Sequence, residues 1–329
     1  MEGRKKRLII IDSNSLIHRA YHALPPLTTK TGELVNAVYG FLLVLFKAIK
    51  EFQPEYIAAC FDLPAPTFRH KEFKEYKAKR PPAPEELYSQ IPKVKEVLEA
   101  FSVKIFEKEG FEADDIIGTI AHLAPRKQIM PEIETIILSG DLDALQLVNP
   151  HTKVYILRKG VKDTVLYDEN LIREKYQGLN PEQLDDFKGL KGDASDNVPG
   201  VTGIGEKTAM ELIKEFATLE NLYQNLKENT EKAKKVKPKI RETLLKYEEQ
   251  ARFSKSLIQI KKEAPIDFNL GKCQWQHYDK EKVIHFLKNL EFYSLIERLP
   301  QLRAKAAGGE ARLPEFKKQE PIKKNLRLW

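Results

Sequence analysis

The chain has 329 residues, enough for one large domain or two ordinary ones, and its 42% hydrophobic and 31% charged residues suit a real core beneath a heavily charged surface. A net charge of +7 with a pI near 9.0 favours a polyanionic partner, though a merely soluble basic protein would show the same balance. Only two cysteines, an apolar run behind MEGRKKR too short for a signal peptide, and no stretch near the roughly 20 apolar residues of a membrane span argue against a disulfide framework, secretion and membrane insertion, so a cytoplasmic, nucleoid-associated protein is expected.

The first half alternates strand and helix patterns. RLIIID predicts a strand and SNSLIHRAYHAL a helix; AVYGFLLVLFKAIKEF predicts a long apolar helix leading to strand YIAACFD. After the charged stretch FRHKEFKEYKAKRPPAP come an amphipathic helix over 85–101, strand SVKIFE, helix EADDIIGTIAHLA and strand ETIILSGD. KVYILRKG and DTVLYD read as a hairpin turning near Gly160. Strands separated by helices imply a largely parallel sheet with helices on both faces. From about Asn170 helices dominate, ending in one long helix over 232–257, so a second, helical domain is expected over 179–298 behind a catalytic domain over 1–178. Residues 299–329 read as a disordered tail.

Nine carboxylates stand out along this pattern. Asp12, Asp62 and the pair Asp141 and Asp143 follow apolar strands, Glu112, Asp114 and Asp115 open a helix, and Asp193 and Asp196 lie in the loop GDASDN. In open α/β sheets the ligand crevice lies at the carboxyl ends of the parallel strands, so three strands would deliver Asp to one small volume. An all-oxygen set of this kind selects hard cations such as Mg²⁺ or Mn²⁺. Glu112 and Asp115 fall at i, i+3 on one helix face, although acids in a first helical turn also simply favour the macrodipole. Asp141 and Asp143, at i, i+2 of an extended segment, would face one spot, where like charges need a cation or a shared proton.

Two further motifs suit a nucleic acid. FRHKEFKEYKAKRPP interleaves Arg69, Lys77 and Arg80 with aromatics such as Tyr76, the composition of a single-strand-binding segment, or else of a solvated amphipathic helix. GVTGIGEKTA puts Gly203, Gly205 and Lys207 at a helix start, where bare backbone N–H groups can approach a phosphate; a plain loop with a good helix start is the alternative. GxxxxGK[ST] cannot be written on it, so it is no NTPase phosphate loop. The seven histidines are assigned no metal role.

Taken in order, IIIDSNSLIHRAYHAL, FD, EADD, SGDLDALQL and GDASDNVPGVTGIGEKTA resemble the five-prime nuclease family, which includes the nuclease domain of bacterial DNA polymerase I, phage exonucleases and flap endonucleases. The resemblance spans roughly residues 7 to 298. It implies a PIN-like parallel-sheet core, a helical arch near 68–90 for a five-prime single strand, and a helix–three-turn–helix that grips duplex backbone through a bound K⁺. By motif position Asp12, Asp62, Glu112 and Asp114 resemble ligands of a first metal. Asp141, Asp143, Asp193 and Asp196 resemble those of a second, with Asp115 shared or one step removed. What remains after EFYSLIERLP cannot hold a polymerase, so a stand-alone, monomeric nuclease is expected.

The implied activity is a 5'-3' exodeoxyribonuclease and 5'-flap endonuclease of primer removal and DNA repair. Two Mg²⁺ ions would activate a water and stabilise the leaving oxygen. Lys77 and Arg80 would clamp the scissile phosphate, Tyr76 would stack on the terminal base, and Arg69 would add a DNA contact. A PIN-like ribonuclease and a non-catalytic DNA-binding module are the rivals. The first is disfavoured by the duplex-suited GVTGIGEKTA, the second by the complete acid set. The last residues, with Asn325, Leu326, Leu328 and Trp329, resemble a short peptide that docks into the sliding clamp; folding back onto the protein's own surface is the alternative.

Overall fold

The computed structural model describes residues 5–126, 128–160 and 163–301, so Asn325, Leu326, Leu328 and Trp329 lie outside the described residues. Six strands form one sheet in the order β3-β2-β1-β4-β5-β6. They are β1 (Arg7–Asp12), β2 (Tyr56–Cys60), β3 (Lys104–Phe106), β4 (Glu134–Ser139), β5 (Thr152–Leu157) and β6 (Thr164–Tyr167). The first five run parallel, and β6 returns antiparallel against β5. Ile9 and Ile11 of β1 face one core while Leu8 and Ile10 face another, all fully buried. Burial on both faces is why these strands read as unbroken apolar runs.

Helices α1 (Ser13–Ala23) and α2 (Asn36–Phe52) help cover one face. The charged stretch beyond β2 is no long helix. It forms α3 (Phe68–Glu72), turns over 74–79, an irregular link over 81–84 and α4 (Glu85–Tyr88), so the segment expected to form a helical arch near 68–90 consists of short helices joined by turns. The helix expected over 85–101 breaks between α4 and α5 (Ile91–Ala100), because Pro92 has no N–H to continue the ladder. On the opposite face lies α6 (Ala113–Leu123).

After β6 come α7 (Glu169–Lys175), α8 (Leu184–Lys191), α9 (Glu206–Phe216) and α10 (Leu219–Glu228). The long helix expected over 232–257 is three pieces, α11 (Glu231–Lys234), α12 (Pro238–Lys246) and α13 (Glu248–Ile258), interrupted at Pro238 and Tyr247. The helical core built on Leu179, Phe187, Ile213 and Tyr223 closes by Ala251. The stretch beyond α13, expected to complete it, packs on the sheet layers instead. Ile260, Leu270 and Cys273 join one face, while Trp275 and residues of α14 (Lys280–Asn289) and α15 (Tyr293–Ile296) join the other. Trp275 fastens this return, its Nε1–H donating to Phe101 O at 2.9 Å. An amphipathic pattern shows that a helix has an apolar face but not which core receives it. Among the described residues no helix is long and apolar enough to cross a membrane.

Candidate active site

The strand order reverses at β1, whose neighbours β2 and β4 lead away in opposite directions, and the carboxyl ends of these strands meet in a cavity of about 410 Å³. Asp12 ends β1 and caps α1, accepting the Ser15 N–H at 3.2 Å; its other oxygen accepts the Ser139 hydroxyl at 2.6 Å. Ser139 ends β4, so this bond ties the two strand ends across the switch point. Asp62, just past β2, accepts the Ala113 N–H at 2.7 Å where α6 begins. Together with Asp114 and Asp141 these carboxylates line the cavity, and among the described residues none of the four forms an ion pair.

Burial, reinforced by Asp62 and Asp141, pushes the Asp12 carboxyl up to about 7 against the Ser139 hydrogen bond. Asp114 is pushed well above the usual carboxylate range by burial, then by Asp12 and Asp141. Burial likewise raises Asp62. These groups favour the proton because burial outweighs what opposes it, including the charge of Lys77 near Asp62 and Asp114.

The other acids are met by the protein's own cations. Glu112 caps α6, and Lys77 Nζ reaches its Oε1 at 2.8 Å. Arg80 pairs with Asp196, whose other oxygen accepts the Tyr76 hydroxyl at 3.1 Å. Lys188 on α8 bridges Asp143 and Asp193, at 2.7 Å to the latter. Burial lifts Asp143 to about 6 despite this lysine, whereas in Asp193 the effect of burial is outweighed by Lys188 and Ser195, which hold it at about 2.

Several expectations change at this point. Asp141 and Asp143 do not share an extended segment; β4 stops at Ser139, and Asp141 caps a short 3-10 turn over Leu142–Leu147 by accepting the Asp143 N–H. Both still line the cavity, because the tight turn keeps the two side chains at its rim. Asp115 is fully buried and lies behind the cavity wall rather than on it. Its partner is Arg69, expected to contact DNA but only 2% exposed. Arg69 grips Asp115 through both terminal nitrogens, at 2.7 and 2.8 Å, and donates to Leu257 O and Gln259 O at the end of α13. Its guanidinium is thus consumed in joining three segments of the fold. Tyr76, expected to stack on a base, is 4% exposed and packs with Val198, Leu257 and Ile258. Asp193 lies outside the cavity lining. Gly203 and Gly205 have open space where a Cβ would stand, and Lys207 is exposed.

The oxygen-only donors and the unpaired buried carboxylates of the first group fit a hard divalent cation. Among the described residues no three His, Cys, Asp or Glu side chains stand close enough to hold an ion without moving.

A family model described as "5'-3' exonuclease, N-terminal resolvase-like domain" matches residues 7–177, and one described as "5'-3' exonuclease, C-terminal SAM fold" matches 179–281. The chain belongs to the 5'-3' exonuclease family. It is therefore a nuclease. Among curated relatives of this exonuclease, DNA polymerase I of Bacillus subtilis (strain 168) is 42% identical over 302 residues, which cover 92% of this chain and 33% of that protein. DNA polymerase I of Bacillus caldotenax is 43% identical over 295 residues, 90% of this chain and 32% of that protein. The exonuclease chain thus spans about a third of the length of these relatives. Among solved structures, the T5 D15 protein co-crystallised with metal ions superposes with a TM-score of 0.63 at 18% identity, covering 87% of this chain and 98% of that one. The catalytic core of Rad2 in complex with DNA substrate gives 0.53 at 18% identity, covering 88% and 89%. At such identities the likeness is one of fold.

Sequence reasoning missed several residues of this exonuclease site. Lys188 stands five positions before Asp193, the only available clue. Ser139 directly precedes Gly140 and Asp141. His18 and His22, assigned no metal role, stand four apart on α1, and both line the cavity beside Arg19, whose guanidinium donates to Gly140 O at 2.9 Å. Burial, with His22 and Arg80 nearby, lowers the His18 pKa.

Proposed function

We propose that this chain hydrolyses DNA phosphodiesters as a structure-specific 5'-3' exonuclease and 5'-flap endonuclease, in primer removal and repair, using two Mg²⁺ or Mn²⁺ ions. The observation that carries the reading is a cavity, at the carboxyl ends of β1, β2 and β4 in a 5'-3' exonuclease-family chain, that combines unpaired carboxylates with Lys77 and Arg80. Asp12, Asp62, Glu112 and Asp114 would hold the first ion; Asp141, Asp143, Asp193 and Asp196 would hold the second, with Asp115 bracing Glu112 from behind. When bound, such ions lower the pKa of a water and stabilise charge on phosphoryl and leaving oxygens. Lys77 and Arg80, released from Glu112 and Asp196, would hold the scissile phosphate. Gly203, Gly205 and Lys207 would meet the duplex backbone, with K⁺ at that turn, and the terminal Asn325–Trp329 would tether the protein to a sliding clamp. The metal ions named with the T5 D15 protein and the DNA named with Rad2 support the substrate and cofactor classes. The test is cleavage of a labelled 5'-flap duplex with and without Mg²⁺, beside a matched RNA flap. Metal-dependent release of the DNA flap is expected, and preferential cutting of the RNA flap would overturn the assignment.

A further inference from the structure

Resting on that two-ion reading, we infer that Lys188 is a built-in counter-ion of the second acidic group and competes with the divalent ion for it. Asp143 comes from the 3-10 turn after β4, Asp193 from the loop after α8, and the ammonium of Lys188 spans the two. All three side chains are less than one-fifth exposed, and among the described residues neither carboxylate has another cation partner. An ammonium has only protons to offer, so while it sits between these oxygens a metal ion cannot use the same lone pairs.

The carboxylate side of this contact has little freedom to retreat. The loop carrying Asp193 and Asp196 is pinched at its base, where Gly192 and Gly200 have φ of +81° and +61°, and a Cβ on Gly200 would stand 2.2 Å from Gly192 N. Asp193 and Val198 exchange backbone hydrogen bonds across the loop, at 2.9 and 2.8 Å. Gly200 is fastened to α13 through Ser254 and Gln250. The movable partner is the four-carbon stem of Lys188. Among the described residues only Glu112 of the four acids assigned to the first ion forms ion pairs, with Lys77 and Arg69, whereas three of the four assigned to the second, Asp143, Asp193 and Asp196, are paired. The two groups therefore bind divalent ions with different affinity, and the first fills at lower concentration.

The experiment is a titration of the full chain with Mn²⁺, following free ion by electron paramagnetic resonance, for wild type, Lys188→Met and the charge-retaining Lys188→Arg. The wild type should take one ion tightly and a second weakly. Lys188→Met should tighten the second by about tenfold or more and leave the first unchanged, while Lys188→Arg keeps the weak second site. Melting in EDTA checks that each variant folds, and Lys188→Gln replaces Lys188→Met should the latter not. A second ion first gained on removing the lysine also supports the competition. Two ions bound by wild type and variant with equal affinities would remove Lys188 as competitor and leave the two-ion reading intact. A single ion in every protein would overturn both.

Discussion

In and around one cavity the protein handles repelling carboxylates in two ways. Asp12, Asp62, Asp114 and Asp141 have no cationic partner among the described residues, and burial drives three of them toward holding their protons. Asp143, Asp193, Asp196 and Glu112 are met by Lys188, Arg80 and Lys77. Asp115 extends the second pattern to its limit, fully buried against Arg69. The contrast teaches that a count of acids does not measure the demand for metal. A carboxylate already paired with a lysine gains less from a divalent ion than one left to its neighbours.

The largest effect should come from breaking the unpaired group. Asp12→Ala or Asp141→Ala should cut flap cleavage by at least about 10²–10³-fold while leaving duplex binding in EDTA nearly intact. Near-normal turnover of either variant in saturating Mg²⁺ would remove these residues from the metal set. Breaking the paired pattern at its most buried point should strike the fold. Arg69→Ala leaves Asp115 without its partner and should cost about 3–5 kcal/mol in urea unfolding. A loss confined to DNA affinity would instead restore Arg69 as a surface contact.

The unpaired group also sets a pH dependence in the metal-free state. Asp12 ordinarily titrates near 3.8 and is raised to about 7 in the fold, so between these values the folded protein holds a proton that the unfolded chain releases. Stability should then fall as pH rises through this window and level off above it. Bound Mg²⁺ should flatten the slope and add about 2.7 kcal/mol at a hundredfold excess over its dissociation constant. Melting curves in EDTA and in Mg²⁺ across pH 4–8 would show it, and a slope of opposite sign in EDTA would contradict the burial of unpaired acids.

The smallest effect sharpens the comparison by leaving the acids alone. Gly205 has an ordinary φ of −89° and nothing within 4 Å of a Cβ position, so Gly205→Leu should fold normally. It should weaken duplex binding with little change in rate at saturation, whereas Lys77→Ala or Arg80→Ala should do the reverse. Gly203 is a less clean probe, because its φ of +84° makes a side chain costly in the fold itself.

How much of this was legible follows the reach of each interaction. The strand-end acids could be read because a buried parallel strand is an apolar run, and the residue after it lies at the sheet's carboxyl edge. Arg69 was misread because its composition context, basic residues among aromatics, is the same for a DNA contact and for a buried clamp. Its partners come from α6 and from the end of α13, far along the chain. Tyr76 was misplaced for the same reason, its hydroxyl meeting Asp196 and Glu112 across the site. The hairpin and the parallel strands were recovered from local pattern, whereas the helices over 85–101 and 232–257 were read as continuous through their prolines.

By itself the sequence determined the alternation of strands and helices, the residue types available at the sheet's edge, and the glycine turn before α9, since each depends on local periodicity or backbone freedom. Only the tertiary structure decided which carboxylates meet a cation and which meet each other. That choice turns on side chains from distant elements arriving within about 3 Å, where burial strips away water and makes each charge depend on its neighbour. Lys188 shows the difference plainly: five residues from Asp193 in sequence, it acquires its role only when the 3-10 turn after β4 brings Asp143 to the other side of its ammonium.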